Sequence, residues 1–297
     1  MANLTTDLFG IYAIYMAFSM LVQLLVTYSF DTSLYIHFHE FKNKPVILST
    51  FISSAFVLML MIAVGISLLL YLLGDLIFVY FFDSKNFSFY PYGWLSLGGG
   101  AFQALFKVHS NLLQSREKPE VFFWANIFLF TLIVLCTIVG LNLFPKSLMG
   151  PLGGRFVALG IGTVWVLYRI FKEFGFHFDF KLLKTSFSFN FYAFIYQLQQ
   201  WLINYFDRIL MGYYLSDSLV GVYSFTVSCL IGIEIFMNGL NSSFFPRVVK
   251  EVMAQTSKGS SVLINRYYYG LVAVTMIVVC GSILILPSLV EWLANYS

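Results

Sequence analysis

Hydrophobic residues fall along this chain in long blocks separated by short polar connections. They show neither the two-residue alternation of half-buried strands nor the narrow stripe of a soluble surface helix. Eight blocks stand out, at 11–30, 48–73, 91–113, 120–143, 149–170, 186–211, 221–244 and 267–287, most of them close to the roughly 20 residues that cross a bilayer as a helix. The second is the cleanest, with nothing charged between Lys44 and Asp75. The fifth is the weakest, because Pro151, Gly153, Gly154 and Arg155 crowd its first turns. In lipid every backbone polar group must be satisfied internally, so the blocks are helices or strands of a closed barrel. Barrel strands alternate polar and apolar residues, and these blocks do not. The pattern predicts an all-α fold: a polytopic integral membrane helical bundle of about eight transmembrane helices.

Composition excludes the soluble alternative. Over 297 residues the apolar fraction is 59%, charged residues are 10%, aromatics 20% and mean hydropathy is +0.82. A soluble domain needs about 25% charged residues to cover its surface. The net charge of +3 is too small for a nucleic-acid binder. Cys136, Cys229 and Cys280 sit singly in apolar runs, which gives neither a disulfide framework nor a metal site. The N-terminal Met-Ala-Asn-Leu-Thr-Thr-Asp has no basic region ahead of its first apolar stretch and so is not a secretory signal.

Where the charges lie sets the orientation. Thirteen Lys and Arg residues gather on one side, in or beside the connections near 31–47, 114–119, 171–185 and 245–266, with Lys107 counted among them. The opposite connections hold three: Lys85, Lys146 and Arg155. By the positive-inside rule the first set is cytoplasmic, and with eight spans both ends of the chain lie outside.

An internal repeat accompanies this topology. Residues 4–12 read Leu-Thr-Thr-Asp-Leu-Phe-Gly-Ile-Tyr, and residues 215–223 read Leu-Ser-Asp-Ser-Leu-Val-Gly-Val-Tyr. Gly10 aligns with Gly221 and Tyr12 with Tyr223, each leading into a long apolar helix. Internal repeats of this kind mark secondary transporters and predict two pseudo-symmetric halves. The division expected is 1–180 for an N-terminal half and 181–297 for the start of a C-terminal half. The later copy follows a full helix and the earlier one follows none, so the reading expects a missing first helix and a truncated second half, and no transport from this chain alone.

From Asn204 to Tyr223 the chain reads Asn-Tyr-Phe-Asp-Arg-Ile-Leu-Met-Gly-Tyr-Tyr-Leu-Ser-Asp-Ser-Leu-Val-Gly-Val-Tyr, with Phe244-Phe-Pro-Arg247 further on. This, with Leu8-Phe-Gly-Ile-Tyr12, resembles the oligosaccharide-lipid (Wzx-type O-antigen and polysaccharide) flippases of the multidrug/oligosaccharidyl-lipid/polysaccharide exporter superfamily. That family often has a glycine beside an acidic residue where its second helix ends; here the chain reads Tyr28-Ser-Phe-Asp31, without one. The resemblance implies two six-helix halves around a central cavity, with this chain as helices two through nine. It also implies a bacterial inner-membrane protein that flips undecaprenyl-diphosphate-linked oligosaccharide by alternating access. The implied partners are the lipid-linked substrate, membrane lipid, and polysaccharide polymerase or other assembly proteins.

Polar groups inside spans are the functional candidates, because burying them in lipid is costly. Asn190, Gln197, Gln200, Asn204, Asp207 and Arg208 recur at three- or four-residue steps apart from one seven-residue gap, which places them on or beside one helical face. Such a face serves a watery cavity that contacts sugar hydroxyls, or glues helices together. Gln103, Lys107, Asn111 and Gln114 form a second face, with Lys107 a partner for a diphosphate or a snorkelling interfacial lysine. Ser19, Gln23, Thr27 and Asp31 form a weaker third stripe. Glu234, with Asn238 and Asn241 on its face, is a candidate coupling carboxylate or half of a fixed ion pair, and Asp207 is the other coupling candidate. His37 and His39 with Glu40 do not share one helical face and so make a poor metal site. Gly98-Gly99-Gly100 follows no strand and reads as a helix-packing site, not a nucleotide loop.

The leading reading is therefore a flippase that needs no cofactor. A multidrug efflux antiporter of the same superfamily is the alternative and would favour an aromatic, acidic pocket. A membrane-embedded acyl- or glycosyltransferase would need a His/Asp or paired-carboxylate constellation, and His37, His39, His109 and His177 are scattered.

Overall fold

The computed structural model describes residues 5–82, 87–116, 118–228, 230–231 and 262–295. Helices follow one another in chain order: α1 (Thr6–Thr27), α2 (Phe30–Phe41), α3 (Pro45–Phe82), α4 (Trp94–Ser115), α5 (Pro119–Leu143), α6 (Met149–Phe174), α7 (Phe180–Tyr214), α8 (217–228) and α9 (Val262–Asn295). A short kinked turn, Phe89–Gly93, in which Tyr90 is extended (φ −100°, ψ 133°), leads into α4 and contains the cis peptide Tyr90–Pro91. Among the described residues there is no strand, and the fold is the all-α bundle that the hydropathy pattern predicts.

Local sequence sets the helix ends. Thr5 caps α1 by accepting from the Leu8 N–H at 3.4 Å, and Asp179 caps α7 by accepting from Lys181 and Leu182 at 2.9 and 3.2 Å. Pro45 and Pro119 open α3 and α5, where a missing N–H costs nothing.

Five segments among the described residues are long and apolar enough to cross a membrane: Thr6–Phe41, Pro45–Tyr80, Glu120–Leu143, Met149–Phe174 and Tyr268–Ile285. Large apolar side chains such as Leu72, Trp124, Phe130 and Val164 stand exposed on their outer faces, the surface that lipid covers. The chain is a multi-pass membrane protein. Helices α4 and α7 are not among the five because their amide and charged side chains lower their hydropathy. Those are the helices that build the candidate site.

Two compact units divide the chain, one within Asn3–Gly221 and one within Val222–Ser297. In the first, α1 packs on α4 and α7, α4 packs on α6, and α5 lies along α6. Tyr15, Phe30, Phe51, Phe56 and Phe89 are fully buried in its core. The glycine triplet behaves as a packing site: a Cβ on Gly100 would strike the Ser19 carbonyl of α1. In the second unit, α9 is an apolar helix with exposed sides.

Two local readings change. The connection near 31–47, expected to be a cytoplasmic loop, is largely the helix α2. Tyr28 and Ser29 break α1 from α2 with φ values of 41° and 57°, adopting the left-handed conformation without the glycine that usually supplies it. Arg155, counted as an outer-loop charge, lies inside α6 and is hydrogen-bonded within the bundle. The opposite connections then hold only Lys85 and Lys146, which sharpens the charge bias.

A polar cavity between α1, α4 and α7

The α1–α2 break turns the chain so that Asp31, in the first turn of α2, points into the bundle. A carboxylate in a first turn is favoured by the helix dipole. Its side chain is 5% exposed, and Lys107 Nζ of α4 lies 2.8 Å from Oδ2. From α7, Gln197 Nε2 donates to the same carboxylate at 3.2 and 3.4 Å. Three helices therefore meet at one carboxylate.

Beside this junction opens a cavity of about 260 Å³, lined by Gln23, Lys107, Gln197, Gln200, Asn204 and Tyr205, with Met20, Leu24 and Trp201 supplying its apolar wall. Trp201 donates from Nε1 to the Ala17 carbonyl at 3.1 Å, which fixes α7 against α1. The cavity has amide groups for hydroxyls, a cation whose side chain remains 39% exposed, and aromatic surface for sugar faces. It can hold a polar, anion-bearing headgroup.

The residues singled out from sequence divide between this cavity and its surroundings. Lys107, Gln197, Gln200 and Asn204 converge on it. Gln103 lies one turn from Lys107 on α4, and its Oε1 accepts from Arg155 Nη2. Arg208 is buried one turn beyond Asn204, its guanidinium 5.1 Å from the centre of the Tyr205 ring. Asp207 Oδ1 accepts from the Arg208 backbone N–H at 2.7 Å. Asn111 lies on α4 beyond Lys107 and does not line the cavity. Asn190 is fully buried on α7, away from the cavity lining. Glu234, Asn238 and Asn241 lie outside the described residues. His37 Nδ1 pairs with Glu40 Oε2 at 2.7 Å.

Sequence reasoning placed Asp31 only on a minor stripe and missed Trp201 and Tyr205 in the cavity lining. The four-residue steps Ser19, Gln23, Thr27 and Asp31 did carry the Asp31 signal. The two aromatics carried none, since aromatic residues abound throughout the chain.

A sequence profile of the family described as polysaccharide biosynthesis protein matches residues 2–252. The chain belongs to that family. Wzx-type polysaccharide and O-antigen flippases are of this family, so membrane-embedded polysaccharide biosynthesis and flippase-type transport are the setting of the chain. The matched stretch includes every residue of the cavity. No curated protein and no solved structure matches the chain.

Proposed function

We propose that this protein transports a lipid-linked oligosaccharide across the bacterial cytoplasmic membrane, holding the polar headgroup in the α1–α4–α7 cavity while the lipid tail stays in the bilayer. The observation that carries this reading is the convergence of Lys107 with the amides of Gln197, Gln200 and Asn204 on one cavity inside apolar helices. A cation and several amides suit an undecaprenyl-diphosphate-linked sugar better than the aromatic, acidic pocket of a drug antiporter. Alternating access would rock one half against the other around this site, with the basic connections facing the cytoplasm and both chain ends outside. Coupling falls to a carboxylate, with Asp207 and Glu234 the candidates.

The test is export in cells that depend on the protein. Gln200→Leu and Asn204→Leu alter exposed cavity groups and cost little packing, so both variants should insert normally yet lose most sugar-lipid export. Undiminished export from the double variant would remove the cavity from the account.

A further inference from the structure

Arg155 is a cation in an unusual position. It lies in the second turn of α6, within the apolar bundle, and not in the loop where a charge so near a helix start would ordinarily stay. Its Nη2 donates to Gln103 Oε1, and Tyr12 lies within electrostatic reach. Its Nε is buried and has no hydrogen-bond partner. No carboxylate pairs with it among the described residues. Lys107, by contrast, has Asp31. A guanidinium in a membrane interior held by neutral oxygens is costly, and the cost falls when an anion with several acceptor oxygens arrives. Phosphate oxygens match the guanidinium fork in shape as well as charge.

Its position relative to the cavity is fixed by two neighbours. Gln103 precedes Lys107 by four residues on α4, about 6 Å along the axis. Tyr205 lines the cavity and also lies within electrostatic reach of Arg155. The space directly against Arg155, lined by Ser19, Ser96 and Gly99, is too small for a diphosphate in this state.

We infer that Arg155, oriented by Gln103, is a second anion station one helical turn from Lys107, built to receive the phosphate or diphosphate group of the transported headgroup. The inference rests on the flippase reading above. The paired Lys107 holds the anion first; Arg155, which has no carboxylate partner among the described residues, takes it further along α4, toward the end that the charge bias assigns to the outer face.

The experiment is ligand-dependent thermal stability of the purified chain in detergent, with farnesyl diphosphate as probe. Farnesol reports the tail alone and inorganic diphosphate the head alone. The wild type should be stabilised by farnesyl diphosphate, with a smaller rise from inorganic diphosphate and none from farnesol. Arg155→Met should unfold no earlier than wild type without ligand, because it removes an unneutralised buried charge, and its affinity for farnesyl diphosphate should fall on the order of tenfold or more. Arg155→Lys should keep part of that affinity. If Arg155→Met melts several degrees lower and still binds the probe as tightly as wild type, Arg155 is structural and the second station is wrong. If the wild type shows no response to farnesyl diphosphate, the flippase reading fails and the station with it. Binding lost in Lys107→Gln but kept in Arg155→Met leaves the first reading standing and overturns this one alone.

Discussion

Lys107 Nζ and Asp31 Oδ2 lie 2.8 Å apart, and the two partners are unequally buried: the lysine side chain is 39% exposed and the aspartate 5%. The pair ties α4 to the start of α2 while leaving the ammonium in reach of the cavity. Its two halves should therefore differ when removed. Lys107→Met strands a buried carboxylate beside Gln197 and should cost about 3 kcal/mol, whereas Asp31→Asn leaves an ammonium that cavity water can solvate and should cost about 1 kcal/mol or less. Unfolding in micelles by denaturant measures both; equal losses would show the pair to be uniformly buried.

The two repeat glycines touch. A Cβ on Gly10 would meet the Asp217 carbonyl and lie 2.8 Å from Gly221 N, and one on Gly221 would meet the Thr6 carbonyl. Gly10→Ala should cost about 1–3 kcal/mol, since backbone and not a flexible side chain must move. Gly65→Ala and Gly153→Ala, with open space around the added methyl, should be neutral or slightly stabilising. A harmless Gly10→Ala would mean that the α1–α8 approach is looser than described.

Three serines of α3 hold the connection between α6 and α7. Ser53 donates to the Gly175 carbonyl at 2.9 Å and accepts from the His177 N–H at 2.9 Å; Ser54 accepts from the Asp179 N–H at 2.8 Å; Ser49 donates to the Phe174 carbonyl at 2.6 Å. Ser53→Ala removes the partner of two backbone groups at once and should cost about 1–3 kcal/mol. Hydrogen exchange at 175–179 should speed up while the α4 amides stay protected. Unchanged exchange there would show that the serines do not hold the connection.

Orientation is open to a direct check in a background without native cysteines. Single cysteines at Lys118, Lys181 and Lys258 should resist an impermeant thiol reagent in intact cells, and those at Ser84, Ser147 and Ser218 should react. The reverse pattern would invert the topology.

The polar faces of α4 and α7 were legible because three- and four-residue steps survive in any helix, so Gln103 with Lys107, and Gln197 with Gln200 and Asn204, stand out against apolar neighbours. What each face meets was not legible, since contact across helices depends on tertiary packing. Asp31 shows this most clearly: its stripe was visible, but the turn that aims it at Lys107 relies on left-handed Tyr28 and Ser29, where sequence offers no glycine. Arg155 misled for another reason. Among Pro151, Gly153 and Gly154 in the first turns of the weakest span it was counted with the outer charges, whereas it faces the bundle from α6, in which Gly150 and Gly154 let α5 approach closely at Gly140 and Cys136.

The central claim is that the headgroup of a lipid-linked oligosaccharide occupies the α1–α4–α7 cavity. Site-specific photocrosslinking in cells making the polysaccharide tests it most directly. A photoreactive residue at Gln200, which lines the cavity, should capture the sugar-lipid, and one at Val64, in the apolar groove between α3, α4 and α6, should capture ordinary lipid but no sugar. Capture of the sugar-lipid at Val64 and not at Gln200 would contradict the account.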